Sequence, residues 1–299
     1  MNLRMESKNP YEEFVESFSS TMRKGLDLPL GNIAPPSDYT VKSNAPKVVI
    51  LSPHPDDECV MGALALRLKR ETGSAVVNIP ITFGSNPARK VQRKEELANA
   101  CKWIGFEIHD LEDGGLEKIT PEARLQDTKH WEQAVSKLTR AIEQIEPDIL
   151  FFPNATDWNR THLGVHLLTH DSLNQIGSAS ITLIETEFWG QIKEPNLLVE
   201  SSFEEVGDLV AALSHHKGEV RRNPFHLHLP SWMQDNVRRG AEVVGGQGGN
   251  APDFDFATLY RVSRMEKGKI YLPWEGGRLL SKTKPGESTI LDKLSSTTA

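Results

Sequence analysis

Residues 48–68 read VVILSPHPDDECVMGALALRL, an apolar run that stops at a histidine, a proline and three consecutive acids before apolar residues resume. His54, Asp56, Asp57 and Glu58 thus stand just past the end of a buried strand. A second polar cluster, FFPNATDWNRTH, follows another apolar run and carries Asn154, Asp157, Asn159 and His162. Histidine with carboxylates is a hard-to-borderline donor set of the kind zinc uses at catalytic sites. One strand exit offers His54 and a carboxylate and the other a histidine, which points to a divalent cation held between them. The same residues have plainer uses. Acids suit the first turn of a helix and proline suits its start, and His162, His166 and His170, spaced by four, share one helix face in core or solvent. Their joint occurrence at two strand exits favours the metal.

These exits belong to a regular pattern. KVVILS, AVVNIPITF, DILFFP and ASITLIETEFW read as strands, and FEIHDLE as a weaker one. DECVMGALALRLKRE, ARKVQRKEELANACKWIG, TKHWEQAVSKLTRAIEQIEP and THLGVHLLTHDSLNQIG alternate with them as helices, and Gly105 closes the second as a C-cap. Such alternation predicts an α/β, Rossmann-like three-layer sandwich, with a mainly parallel sheet and helices on both faces. Ligands of such sheets collect beyond the carboxyl ends of the strands. SFEEVGDLVAALSHHKGEV and LPSWMQDNVRRGAEVV read as helices and ATLYRVSR as a strand, a smaller C-terminal α+β portion; the GGQGG run is a lid or a plain connection. The expected division is an extension over 1–45 with a helix over 10–23, a domain over 46–264, and a C-terminal extension over 265–299 whose last ~20 residues fray. The two extensions are candidates to cover the pocket or to build a homo-oligomer interface.

Of the 299 residues 38% are hydrophobic, enough for a full-sized core. The net charge of −7, with acids and bases well mixed, argues against a nucleic-acid partner. No run of about 18 apolar residues predicts a membrane span, and the polar start lacks a signal-peptide core; a cytoplasmic protein is expected. Two cysteines, Cys59 and Cys101, are too few for a disulfide framework or a cysteine-built zinc site. A nucleotide-binding module would need glycines at the first strand exit, where this chain has carboxylates.

SPHPDDECVMGALAL closely resembles the signature of the LmbE-like, or PIG-L-type, N-acetylglucosaminyl deacetylases. TFG at 82–84, RKEELANACKWIG, PDILFFPNATDWNRTHLGVH, ALSHHKGE and ATLYRV resemble later elements of the family in order, so the likeness spans roughly 46–264. The resemblance implies that His54, Asp57 and His162 bind the metal, that Asp56 is the general base, and that Arg93 contacts the substrate. It implies zinc, with Fe(II) and Co(II) suiting the same ligand set, and an amino-sugar substrate losing its N-acetyl group. His216 falls near the late element and either approaches the pocket or ends a helix; Trp158 and Trp189 either stack on a sugar ring or pack in the core. The family's second motif reads His-x-x-His, and here its first position is Asn159, an amide that donates a hydrogen bond but cannot serve as a cationic acid. A pairing of His162 with His166 is the alternative register. The departure at Asn159 also admits a metal-holding, carbohydrate-binding homologue without turnover.

Overall fold

The computed structural model describes residues 9–36, 40–188, 190–282 and 290–295. Among these residues the chain builds one nine-stranded sheet. Five strands are parallel: β1 (Lys47–Ser52), β2 (Ala75–Pro80), β3 (Glu107–Ile108), β4 (Ile149–Pro153) and β5 (Ile181–Thr186), in the spatial order β3-β2-β1-β4-β5. Strand succession reverses between β1 and β4, and the crevice past their carboxyl ends is where such sheets receive ligands.

β1 explains why both faces need cover. Val48 and Ile50 pack into one apolar cluster and Val49 and Leu51 into another, because successive side chains of a strand point to opposite faces. α2 (Asp57–Val60), α3 (Ala63–Thr72) and α4 (Lys90–Ile104) supply the first cluster. After the short α5 (Pro121–Gln126), α6 (Thr128–Ile145) and α7 (Arg160–Ile176) supply the second. In α6, Trp131, Ala134, Val135, Leu138, Ala141 and Ile142 recur at helical spacing and are buried, and the Asp127 side chain caps its start.

The helix expected over DECVMGALALRLKRE is two, α2 and α3, interrupted at Met61 and Gly62. Tyr260 accounts for the break. Its hydroxyl donates to the Met61 carbonyl at 3.0 Å and accepts from the Leu64 N–H at 3.1 Å, which satisfies backbone groups the interruption exposes.

The C-terminal α+β portion extends the same sheet. β6 (Leu197–Ser201) and β5 flank the antiparallel β7 (Phe256–Glu266), β8 (Lys269–Tyr271) pairs with β7, and β9 (Arg278–Leu280) runs parallel to β6. Strands therefore continue past residue 264 into the segment read as tail. Arg67, 1% exposed on α3, fastens that segment by donating to the carbonyls of Glu200 and Ser281 while Glu71 accepts from its Nε. α8 (Phe203–Leu213) and α9 (Lys217–Arg222) replace the single helix expected there; the Ser214 hydroxyl accepts from the Gly31 N–H and donates to the Ala211 carbonyl at the break. α10 (Phe225–Val243) and α11 (Ile290–Ser295) follow, the latter burying Ile290 and Leu294. α1 (Pro10–Gly25) leaves Tyr11, Phe14, Val15 and Phe18 exposed. Among the described residues no helix is long and apolar enough to cross a membrane.

Candidate active site and metal centre

The loop after β1 is shaped by Pro53 and Pro55. The Thr82 hydroxyl and N–H both donate to the Pro53 carbonyl, and Arg93 donates to that of Pro55 at 3.0 Å. The chain then passes through Asp56 at φ +118°, a conformation rare for a residue with a side chain. Such backbone strain persists only where the surroundings enforce it, and it concentrates at functional sites. Here Glu58 enforces it: its fully buried carboxylate accepts the Asp56 N–H at 2.9 Å and bonds His216 Nε2 at 2.8 Å.

Past β4, Asp157 turns the chain into α7. One of its oxygens accepts the Asn159 N–H at 2.8 Å and the other meets His162 Nδ1 at 3.0 Å. Asn159 caps the helix by accepting the Thr161 N–H at 2.9 Å, which leaves its amide NH2 as a donor, and the residue lines the cavity. His162, in the first turn of α7, meets β1's loop. Ligand atoms of His54, Asp57 and His162 all lie within 4.8 Å of one another; His54 Nδ1 is 3.3 Å and His162 Nε2 3.4 Å from the same Asp57 oxygen.

This set fits a divalent cation, and His162 provides the test. Its Nε2 is buried without a hydrogen-bond partner, although Asp157 engages the other ring nitrogen. With the proton on Nδ1 toward Asp157, Nε2 presents a lone pair toward a carboxylate and a second imidazole. Three such acceptors converging in a buried place need positive charge among them. The local field has the matching sign: burial disfavours a charged imidazole, yet Asp57 and then Asp157 push the His162 pKa up to about 10. Burial likewise opposes the Asp57 carboxylate, and His162 with His54 outweighs it, holding Asp57 well below the usual range. Asp56 goes the other way: burial first, then the charge of Asp57, raises it well above an ordinary carboxylic acid. Two neighbouring acids thus differ in character, one held ionised and the other inclined to keep its proton. Asp157 stands out in the sequence only as part of a polar cluster. Asp157→Asn is expected to weaken metal affinity about 10- to 100-fold with the fold intact, measured by competition with a chelator.

A cavity of about 330 Å³ opens over this centre, with His54, Asp56, Arg93 and Asn159 in its lining. Two candidates stand elsewhere. His216 is 1% exposed and bonded to Glu58, so it braces the Asp56 loop from below, because the turn between α8 and α9 tucks into the core. Trp158 is 69% exposed on the loop before α7 and does not line the cavity. Trp189 lies outside the described residues. His166 bonds the Pro153 carbonyl at 2.9 Å rather than joining the cluster. Residues 245–249 are not in the cavity wall. His170 sits 4.6 Å from the His166 ring and edge-on to Phe152; burial, then His166, lowers its pKa to about 4. The unfolded chain takes up that proton from about pH 6.5 downward while the folded chain refuses it. Stability should therefore fall as pH drops from 6.5 to 4, and His170→Gln should flatten that slope in urea-unfolding midpoints.

Residues 49–173 match the sequence family described as PIG-L: GlcNAc-PI de-N-acetylase. That segment resembles a PIG-L (LmbE-like) domain. The match takes in both polar clusters of the candidate metal site. No curated protein matches the chain in sequence. Among solved structures it is similar to the N,N'-diacetylchitobiose deacetylase from Pyrococcus horikoshii, at TM-score 0.53 and 16% identity over 83% of this chain and 92% of that one. It is similar to the conserved protein TT1542 from Thermus thermophilus, at TM-score 0.53 and 18% identity over 72% and 94%. It also resembles the 4-carboxy-2-hydroxymuconate hydratase GalB from Pseudomonas putida, at TM-score 0.51 and 15% identity over 73% and 95%. At these identities the likeness is one of fold.

Proposed function

We propose that the protein hydrolyses the N-acetyl group of an N-acetylglucosamine-type substrate, with one divalent cation, zinc in the first instance, held by His54, Asp57 and His162. The observation that carries this reading is the unpartnered, buried Nε2 of His162, set by Asp157 to face Asp57 and His54 beneath the cavity that Asp56 lines. A cation bound there supplies a Lewis acid, which acidifies water and polarises an amide carbonyl. The chain's own groups do the rest. Asp56 accepts the proton that the attacking water gives up, and returns one to nitrogen as the C–N bond breaks, so that water and amide become acetate and free amine. Its raised pKa suits that exchange, since a weakly basic carboxylate would not hold the proton long enough to deliver it. The Asn159 NH2 is the donor available to the carbonyl oxygen as it gains charge. Arg93, 4.0 Å from the Asp56 carboxyl, holds that loop through the Pro55 carbonyl.

The family match and the deacetylase named among its structural relatives support the reaction class. A second reading, sugar binding without turnover, rests on the amide at Asn159. The separating experiment incubates the full chain, supplied with zinc, with a panel of N-acetylglucosamine glycosides and measures acetate and free amine. Equal amounts of both are expected. Saturable binding without either product would favour the second reading.

A further inference from the structure

We infer that the cavity beside Asp56 contains an anion subsite, built from Arg89, Arg93 and Arg222 around Glu219, that receives a phosphate or carboxylate group carried by the substrate. The substrate's identity as an N-acetylated amino sugar rests on the function proposed above; the affinity for an anion does not.

Three guanidiniums and Glu219 share the cavity wall with Asp56. Glu219 is the common partner: one oxygen accepts from Arg89 at 2.7 Å, the other from Arg222 at 2.6 Å, and Arg93 Nε lies 3.9 Å away. A guanidinium carries five N–H donors, so one carboxylate cannot occupy three of them. Arg89 Nη2 and Arg93 Nε are buried with no hydrogen-bond partner. The carboxylates in the wall, Glu219 and Asp56, leave an excess of positive charge over the space where a ligand would sit.

The backbone is recessed to admit these groups. A Cβ on Gly84, itself at φ +81°, would lie 2.4 Å from Arg93 Nη1, and one on Gly218 would lie 2.0 Å from Arg89 Nη2. Two chain segments far apart in sequence are thus shaped around two guanidiniums on one wall. The remaining polar lining adds donors. Asn86 and Asn159 each commit their side-chain oxygen to a backbone N–H, of Ala88 and Thr161, which leaves both NH2 groups free to donate. A neutral sugar ring is read by mixed donors and acceptors and by aromatic stacking; a wall of guanidinium and amide donors is what a multi-oxygen anion needs.

The test uses the full zinc-supplied chain and three ligands: the methyl glycoside of N-acetylglucosamine, N-acetylglucosamine 1-phosphate, and the carboxymethyl glycoside. Each is read by kcat/KM for acetate release and, independently, by calorimetric Kd. A charged ligand is expected to exceed the methyl glycoside about tenfold in both, and whichever of phosphate or carboxylate leads identifies the group. Two variants localise the effect. Arg222 is 72% exposed, so R222Q keeps the fold; G218A changes no charge and displaces only the flexible tip of Arg89. Both should lose most of the tenfold advantage. Equal values for charged and neutral ligands overturn the subsite and leave the hydrolase reading standing. No acetate from any ligand, with the charged ones still binding tenfold more tightly, overturns the hydrolase reading and leaves the subsite. An advantage that survives both substitutions overturns the assignment to these residues.

Discussion

Asp56→Asn should lower kcat for acetate release on the order of 100- to 10,000-fold while leaving KM and bound metal nearly unchanged. The substitution is chosen for the backbone. Asp56 sits at φ +118°, and asparagine tolerates positive φ better than alanine does, so the loop and its hydrogen bond to Glu58 survive. An amide of the same shape keeps the cavity's volume but cannot take up a proton from water. The folded protein should be no less stable, because the change removes one of two adjacent buried acids whose mutual repulsion, after burial, raises the Asp56 pKa. Urea midpoints, metal content and steady-state kinetics measured together separate lost chemistry from a collapsed site. A fall in kcat with metal lost as well would assign Asp56 to the ligand set instead.

His162→Ala should abolish stoichiometric metal binding and turnover together, and should cost about 3–5 kcal/mol of stability in the metal-free protein. The cost follows from what remains. The Asp157 carboxylate, 3% exposed, loses the ring that bonds it at 3.0 Å, and Asp57 loses the group that does most to hold it ionised. His162→Gln isolates the metal from the fold, since its amide can still donate to Asp157 but offers no imidazole lone pair; it should fold near normally and still lack metal. Retention of a full metal equivalent in the Gln variant would remove His162 from the centre.

Much of this was legible in the chain because local pattern and tertiary fate agreed. The unbroken apolar run of β1 could only be a strand covered on both faces, and α6 announced its buried side by spacing alone. The acids after β1 and the histidine after β4 were visible as strand-exit residues, and the sheet's reversal between those strands brings them together. What stayed hidden depends on distant partners. Tyr260 breaks the helix after β1 from about two hundred residues away. The turn between α8 and α9 sends His216 under the Asp56 loop and Glu219 into the cavity wall; the resemblance at HHKGE pointed His216 toward the pocket or a helix end, and nothing there marked Glu219. Arg93 was legible only through the family resemblance, and Arg89 drew no reading, because the Glu219 that bonds it lies 130 residues further along the chain. Gly84 and Gly218 were the available hints, for a glycine in a helix start or after a strand asks what approaches it.

On the proposed mechanism, one divalent cation at His54, Asp57 and His162 is required for N-acetyl hydrolysis. That requirement is tested most directly by measuring metal content and acetate release on the same samples of purified protein: as isolated, after chelation, and after titration with zinc. One metal per chain is expected, with acetate release that vanishes when it is removed and recovery that saturates at one equivalent. Full-rate acetate release from the metal-free chain, or failure to take up any metal on titration, would contradict it.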